Sequence, residues 1–235
     1  MSELAESVMK DYAKQIAKAG LGIYAVKLNT KKPFQWASGY HMPIYNDNRM
    51  FLWYPKHRKL IAEAFQYFID SEGLKLDFIA GTSTAGISPA TTLADRIVKP
   101  IIYIRDKPKD HGLKNQIEGI DAEKDLEGRK GIVIEDLIST GGSSANAVVA
   151  VRNAKGEIDW CISIFNYGLQ KAKEEFDKIK CKVWSALSYD VLLETAVETE
   201  YITKKDMKDL EEWRADPFGW GEKHGFPKVE KGDKK

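Results

Sequence analysis

The chain has 235 residues, 43% of them hydrophobic, and its 36 lysines and arginines nearly balance its 35 aspartates and glutamates. This length predicts one domain with one sizeable core, and the net charge of +1 gives no overall signal for a polyanionic partner such as nucleic acid. Charges within residues 1–20 argue against a signal peptide, and no apolar run approaches the roughly 20 residues of a membrane span.

The compartment is indicated by the cysteines. Cys161 and Cys181 are the only two, too few for a disulfide framework or a metal cluster. We therefore expect small core residues in a reducing cytoplasm.

A helix near the amino terminus is predicted by apolar residues at helical spacing, with Ser2 as its N-cap: Leu4, Val8, Tyr12, Ile16 and Ala19. This stripe predicts a packing face without a catalytic role. The helix and the segment after it, together about residues 1–54, precede a second predicted helix at residues 55–73.

Polar and aromatic side chains are concentrated in residues 34–49. Tyr45 offers a ring for stacking and a hydroxyl group, and Arg49 offers a bidentate fork for a carboxylate. An equally weighted alternative is that Arg49 forms a structural ion pair, with Asp47 or with a more distant acid.

Residues 76–80 predict a buried strand, followed by a loop of glycines and hydroxyls at 81–86 and a helix at 87–98. Backbone N–H groups at the start of a helix bind anions, and Thr82, Ser83 and Thr84 add hydroxyl donors. Taken alone, the loop is an ordinary strand-to-helix turn.

A polar stretch at residues 106–116 follows the strand predicted at 100–105. Long loops of this kind in compact domains are often functional lids. It carries four groups that could meet the charge of an anion, Lys107, Lys109, His111 and Lys114. The alternative is a solvated charged loop.

The strand predicted at 132–134 is followed by two acids, a loop and a helix at 145–151. Glu135 and Asp136 suit the adjacent hydroxyls of a ribose, because an ionised carboxylate only accepts hydrogen bonds, and they could lie near a Mg²⁺ ion. The loop supplies hydroxyls and close backbone approach for a phosphate monoester: Ser139, Thr140, Gly141, Gly142 and Ser143. The alternative is a turn with a serine N-cap. Neither a P-loop nor a dinucleotide-binding glycine motif is present in the sequence.

The remaining chain predicts another strand–helix–strand unit, with strands at 160–165 and 181–187, and then short helices at 189–197 and 204–214. Beyond Gly221 the composition favours fraying. The expected fold is α/β: a mainly parallel sheet flanked by helices, with a core at about 55–190 and C-terminal helices with a frayed tail at about 191–235.

Four of these motifs, in the same order, resemble those of orotate phosphoribosyltransferases, which belong to the type I phosphoribosyltransferases. Residues 132–143 resemble the motif for phosphoribosyl pyrophosphate (PRPP), and residues 81–87 resemble the pyrophosphate loop. Residues 36–49 resemble a signature that forms part of a hood over the base, and residues 105–112 resemble a mobile catalytic loop. The chain departs from many relatives by lacking a Lys or Arg at three places: Ala37, Ala85 and Asn166-Tyr167.

The resemblance implies a pentosyltransferase that moves 5-phosphoribose from PRPP, bound with Mg²⁺, to orotate, releasing pyrophosphate, in the synthesis of UMP. It implies a core like that of type I phosphoribosyltransferases with a small N-terminal hood, and a cytoplasmic homodimer that shares the 105–116 loop and binds neither nucleic acid nor membrane. The implied catalytic residues are Lys109, His111 and Asp136. The implied ligands are Glu135, Asp136, Ser139, Thr140, Gly141, Gly142 and Ser143 for the ribose and 5-phosphate, Thr82, Ser83, Thr84, Ala85, Arg105, Lys109 and His111 for pyrophosphate, and Tyr45 and Arg49 for orotate.

The resemblance implies no direct protein ligand for the metal, with Glu135 and Asp136 nearby. Two alternatives stay open: transfer to a different nucleobase, because of the missing cations, and a non-catalytic PRPP sensor, against which the basic loop argues.

Overall fold

A computed structural model describes residues 2–106, 116–121 and 126–230. In chain order the elements in these ranges are α1 (Glu3–Gly22), β1 (Val26–Leu28), β2 (Phe34–Gln35), β3 (His41–Met42), β4 (Ile44–Asn46), a 3₁₀ helix (Asn48–Trp53), α2 (Pro55–Ser71), β5 (Phe78–Thr82), α3 (Ile87–Ile97), β6 (Ile101–Ile104), β7 (Ile117–Glu118), β8 (Lys130–Ile138), α4 (Gly142–Asn153), β9 (Glu157–Asn166), α5 (Gln170–Lys178), β10 (Lys182–Ser188), α6 (Tyr189–Glu198), α7 (Lys204–Ala215) and α8 (Trp220–Lys223). Among these described helices, none has both the length and the apolar character needed to cross a bilayer.

Six strands form the central sheet in the order β10-β9-β8-β5-β6-β7. All neighbours are parallel except β7, which runs antiparallel to β6 at one edge. Every residue of β5 is buried, as is the run from Gly131 to Glu135 in β8, a pattern typical of parallel strands covered on both faces. The predicted mainly parallel α/β fold is confirmed.

Helices cover both faces of this sheet. Alternate residues of a strand point to opposite faces, so one strand contributes to the core on each side. Ile132 and Ile134 of β8 belong to the cluster that includes α1, α2 and α3. Val133 belongs to the opposite cluster, with α4 and α5. The β-branched run that predicted a buried strand therefore contributes to two cores.

The direction of chain progression changes between β5 and β8. The chain continues from β5 to β6 on one side and from β8 to β9 on the other, although β5 and β8 are neighbours. In open α/β sheets, ligands bind in the crevice outside the carboxyl ends of strands at such a point. The segments that follow β5 and β8, residues 83–86 and 139–141, both leave the sheet at this crevice.

Strand β8 is longer than the sequence predicts. It continues through the two acids to Ile138, because β9 goes on pairing with it at Glu135–Ser163 and Leu137–Phe165. The pairing with β5 ends at Gly81–Ile134. At the two acids, β8 therefore pairs with β9 on one side and, in the described part of the chain, has no strand on the side of the crevice. The pairing with β9 holds the backbone there, and the other edge is open.

The N-cap of α4 is Gly141, which has no side chain to cap the helix. The alternative of a serine N-cap is therefore wrong.

The first part of the chain forms two antiparallel ribbons, β1–β4 and β2–β3, which we call the hood (residues 26–46). The C-terminal helices pack against it: the indole Nε1 of buried Trp213 donates to the Met42 sulfur at 2.9 Å. Where composition favoured fraying beyond Gly221, residues 226–229 instead contact the hood. Residues 231–235 lie outside the described part of the chain.

Candidate active site

The buried carboxylate of Glu135 connects the two loops of the crevice. Its Oε1 accepts a hydrogen bond from the Thr82 hydroxyl at 2.7 Å, and its Oε2 accepts one from the Ser144 hydroxyl at 2.9 Å. The Asp136 amide also donates to Oε1, at 2.9 Å. Thr82 ends β5 and Ser144 lies in the first turn of α4, so a single side chain fixes the separation of both loops. Hydrogen bonds to a charged group are about twice as strong as neutral ones.

Asp136 follows Glu135 directly, and its carboxyl has an altered pKa. Burial, followed by the hydrogen bond and the charge of Glu135, raises the pKa of the Asp136 carboxyl to about 7. Its backbone carbonyl accepts a hydrogen bond from the amide of buried Asn48 at 2.7 Å. Two adjacent acids therefore differ in role: one is fully engaged in structure, and the other can change protonation near neutral pH.

The loop after β5 has its backbone held where it leaves the strand. The Ser83 amide donates to the Ile104 carbonyl at 2.8 Å, and the Ser83–Thr84 peptide bond is cis. Ala85 lines a small cavity of about 30 Å³ with Arg49 and Asp136. The structure therefore brings together residues from three of the sequence motifs.

The stems of the basic loop are joined to each other. The Arg105 amide donates to the Gln116 carbonyl at 2.9 Å, and the Gln116 side chain donates to the Arg105 carbonyl at 2.8 Å. The Arg105 guanidinium lies 3.6 Å from Glu118, and its Nε is buried without a hydrogen-bond partner among the described residues. Lys107, Lys109, His111 and Lys114 lie outside the described residues.

The loop from Ser139 to Ser143 turns sharply into α4. Gly141 has φ +80°, and a Cβ there would lie 3.0 Å from the Ala172 Cα, so glycine is required for conformation and for space. The Ser143 hydroxyl donates to the Asp106 carboxylate at 3.1 Å, whereas Ser139 and Thr140 are half-buried. The helix that begins at Gly142 directly after this turn offers unpaired backbone N–H groups of the kind that bind anions.

A cavity of about 370 Å³ lies between these three segments. It is lined by Thr82 at the end of β5, by Arg105 and Asp106 in the stem of the basic loop, and by Ser143 at the start of α4. The volume is in the range of small-molecule sites.

The two residues expected to contact a base lie in and just after the hood. Tyr45 is 37% exposed, and its ring lies 6.0 Å from that of Phe34. Arg49 forms a bidentate pair with Asp47, with Nε–Oδ1 at 2.7 Å and Nη2–Oδ2 at 3.0 Å. This pairing lowers the pKa of the Asp47 carboxyl and raises that of Arg49. The structural ion pair that the sequence allowed is thus present, and the Arg49 side chain is still 65% exposed.

The acidic groups of the crevice suit a metal ion that is shared with a substrate. Mg²⁺ is usually held by one or two carboxylates together with waters and substrate phosphates. Asp136 and Asp106 can contribute in this way. Within the described ranges no cluster of three or more metal-binding side chains is found.

Several residues of the site have no strong local signal in the sequence. Asn48 and Ser144 reach the acids only through the folded chain. Arg58 of α2 lines the same small cavity as Arg49, and its guanidinium donates to the Leu52 carbonyl. In the sequence, one arginine on the polar face of an amphipathic helix looks like any solvated surface charge. Hydrophobic periodicity therefore does not identify Arg58 as a residue of the site.

Comparisons with known proteins show which family the chain belongs to. Residues 53–192 match the family model described as "Phosphoribosyl transferase domain". The chain is 44% identical over 208 residues to the orotate phosphoribosyltransferase of Listeria monocytogenes (serotype 4b), covering 88% of this chain and 98% of the relative. It is 44% identical over 213 residues to that of Enterococcus faecalis (strain OG1RF), covering 91% and 100%.

Two solved structures share the fold. The UMP synthase of Leishmania donovani aligns with a TM-score of 0.70 at 25% identity, covering 86% of this chain and 42% of that protein. The orotate phosphoribosyltransferase of Aeropyrum pernix aligns with a TM-score of 0.67 at 23% identity, covering 80% and 99%.

Proposed function

Because this chain belongs to the orotate phosphoribosyltransferase family, we propose that its reaction takes place in the crevice between β5 and β8. The reaction transfers 5-phosphoribose from PRPP to a ring nitrogen of orotate and gives orotidine 5′-monophosphate and pyrophosphate, a step in the synthesis of UMP. The observation that carries the placement is the 370 Å³ cavity bordered by three separate motifs.

The ends of PRPP are assigned to the two loops. The 5-phosphate lies on the loop at 139–143, where hydroxyls and the N-terminus of α4 supply donors. Pyrophosphate lies between the loop at 82–85 and Arg105, whose buried Nε would gain an oxygen acceptor. Glu135 and Asp136 lie beside the ribose between them, with Asp136 the more accessible acid.

Catalysis follows from positioning and charge. Positive charge that builds on the ribose is stabilised by Asp136, and negative charge on the departing pyrophosphate by Arg105 and by Lys109 and His111 of the basic loop. Such preorganised charge commonly provides the largest share of catalysis.

Orotate is assigned to Tyr45 and Arg49. Arginine has five N–H donors, and the pair with Asp47 uses two of them. The other donors suit the orotate carboxylate, and Asp47 fixes the direction of the fork. Arg49 would thereby supply the carboxylate partner that this chain lacks at Asn166-Tyr167.

Mg²⁺ enters with PRPP in this proposal. The support is the donor set, since carboxylates suit a hard cation that keeps waters and substrate oxygens. Asp106 lines the 370 Å³ cavity, and Asp136 lines the smaller cavity of about 30 Å³. Bound Mg²⁺ would neutralise charge on the pyrophosphate.

The proposed assembly is a cytoplasmic homodimer in which the 105–116 loop serves the partner's site. Exposed apolar side chains of the 3₁₀ helix support a second copy: Trp53 is 84% exposed, and Met50 and Leu52 are 42% and 46% exposed. Buried, unpaired Cys161 and Cys181 support a reducing compartment.

The decisive assay follows the ultraviolet absorbance of orotate with PRPP and Mg²⁺. We expect turnover with orotate and none with uracil, hypoxanthine or adenine, and loss of turnover when EDTA removes Mg²⁺. Turnover of another base without turnover of orotate would overturn the function, and full activity in EDTA would overturn the role of Mg²⁺.

Mixing two impaired variants, assayed at an orotate concentration well below the wild-type KM, tests the shared site. In a Lys109→Ala/Arg49→Ala hybrid dimer, one site regains both residues if Lys109 acts across the interface. Random pairing would then restore roughly a quarter of wild-type activity. No recovery, with dimers present by light scattering, would place Lys109 in the site of its own subunit.

A further inference from the structure

The last described residues of the chain form a strap over the hood. We define the C-terminal strap as residues 219–229, which includes α8. The Val229 amide donates to the Gly39 carbonyl at 3.0 Å, and the His41 Nδ1 lies 3.0 Å from the Pro227 carbonyl, for which it is the donor. The strap therefore holds both the turn of the β2–β3 ribbon and the strand that follows it.

The contact at Gly39 leaves no room for a side chain. Gly39 has φ +87°, and a Cβ there would lie 2.1 Å from the Val229 carbonyl oxygen. On the other side, a Cβ on Gly221 would lie 3.0 Å from the His41 carbonyl oxygen. Strap and ribbon are thus in backbone-to-backbone contact at two points, which only glycine permits.

Aromatic packing anchors the strap between these points. Trp220 is fully buried, and its ring lies parallel to that of Phe226, with centroids 6.4 Å apart. The Phe226 ring also lies 6.2 Å from that of His41. The Lys228 ammonium lies over the Tyr40 ring at 5.2 Å, an exposed cation–π contact of modest strength.

The structure held by the strap leads into the site. The turn at 36–40 is closed by bonds from the Trp36 amide to the Tyr40 carbonyl and from the Gly39 amide to the Trp36 carbonyl, at 2.9 and 2.8 Å. The Trp36 indole Nε1 donates to the Ile44 carbonyl at 3.0 Å, and Ile44 directly precedes Tyr45 in β4. A continuous series of contacts therefore connects the strap with Tyr45, the residue assigned to orotate.

We propose that the C-terminal strap is a positioning element for the base, which keeps the hood turn in the conformation that accepts orotate. The strap touches no reacting group itself. Its contribution is preorganisation: if the turn is ordered in only a fraction of molecules, the apparent affinity falls by that fraction. This inference rests on the proposed placement of orotate under the hood.

The test compares two substitutions at one position. Val229→Pro removes the amide donor to Gly39, whereas Val229→Ala keeps it and serves as the control. We expect Val229→Pro to raise the KM for orotate about fivefold, the factor for one lost hydrogen bond, with the KM for PRPP and kcat retained. Hydrogen exchange of residues 34–42 should accelerate in Val229→Pro alone.

A second pair addresses the other contact. His41→Ala removes the donor to Pro227, and His41→Asn supplies an amide donor in a similar place. We expect His41→Ala to raise the KM for orotate and His41→Asn to restore much of it, with unchanged melting temperatures in both.

The outcomes distinguish a failure of the positioning role of the strap from a failure of the proposed function. If wild-type protein turns over orotate and the KM for orotate is unchanged in both Val229→Pro and His41→Ala, the positioning role is refuted. An equal rise in the KM for PRPP would also refute it, because that result indicates general loosening. If wild-type protein does not turn over orotate, the proposed function fails, and hydrogen exchange still reports whether the strap orders the hood.

Discussion

Two adjacent serines in α4 allow a sharp test of the Glu135 connection. Ser144 is 3% exposed and donates to the Glu135 carboxylate at 2.9 Å. Ser143 donates to Asp106 at 3.1 Å on the exposed side. Replacing either by alanine makes the same chemical change in the same helical turn. Both variants therefore gain the same helix propensity, and this gain cancels when their free energies of unfolding are compared.

The expected magnitudes follow from these environments. Losing a hydrogen bond to a buried charged group costs about 1.5–3 kcal/mol, and an exposed bond costs well under 1 kcal/mol. Alanine returns about 0.5 kcal/mol of helix propensity. Ser144→Ala should thus lower the free energy of unfolding by about 1–2.5 kcal/mol, and Ser143→Ala should leave it nearly unchanged. For a chain of this size, we expect Ser144→Ala to lower Tm by about 2–10 °C.

Activity should change in the opposite order. Ser143 is assigned to the 5-phosphate, so Ser143→Ala should raise the KM for PRPP about tenfold, the factor for one charge-assisted bond. Ser144→Ala should raise it much less. Urea denaturation and steady-state kinetics on both variants measure the two effects. Equal losses of stability in both variants would refute the buried connection, and an unchanged KM for PRPP in Ser143→Ala would refute the phosphate assignment.

Three further results are expected from the same site. Lys109→Ala should lower kcat far more than it weakens PRPP binding, measured by single-turnover kinetics and calorimetry, and near-normal kcat would remove Lys109 from the chemistry. Arg49→Ala should raise the KM for orotate at least about tenfold while the KM for PRPP holds, as expected for a lost ionic contact; an unchanged KM for orotate would show that Arg49 serves only the pair with Asp47. The pKa of the Asp136 carboxyl is raised from 3.8 to about 7. Between these pH values the folded protein holds a proton that the unfolded chain releases. The stability that this proton contributes is therefore fully present below about pH 4 and is lost as the pH rises through about 7. Thermal melts of unliganded protein between pH 5 and 8 should show wild type losing stability relative to Asp136→Asn, and parallel curves would contradict the raised pKa.

Local patterns in the sequence determined most of the architecture. Continuous β-branched runs indicated strands buried on both faces, and apolar residues at helical spacing indicated α1 and α2. Ser2 indicated the start of α1, where its hydroxyl accepts from the Ala5 amide at 3.3 Å. These features depend on neighbours a few residues apart, so the sequence contains them directly.

Element ends were determined less well by such patterns. The two acids after Ile134 indicated the end of a strand, yet β8 continues to Ile138 because β9 supplies hydrogen-bond partners. The length of a strand depends on the partner beside it, and the partner is set by sheet order. The polar composition after Gly221 similarly favoured fraying, although buried Trp220 and the contacts with Gly39 and His41 hold the strap.

The sequence alone therefore determined that two loops of glycines and hydroxyls follow buried strands, and that adjacent acids precede the second loop. Tertiary structure decided how they work together. Thr82 and Glu135 are 53 residues apart and meet at 2.7 Å because β5 and β8 are neighbours in the sheet. His41 and Pro227 are 186 residues apart and meet at 3.0 Å because the C-terminal helices pack on the hood. Periodicity specifies which face of an element is buried, but contacts between distant side chains depend on strand order and register, which only the folded chain defines.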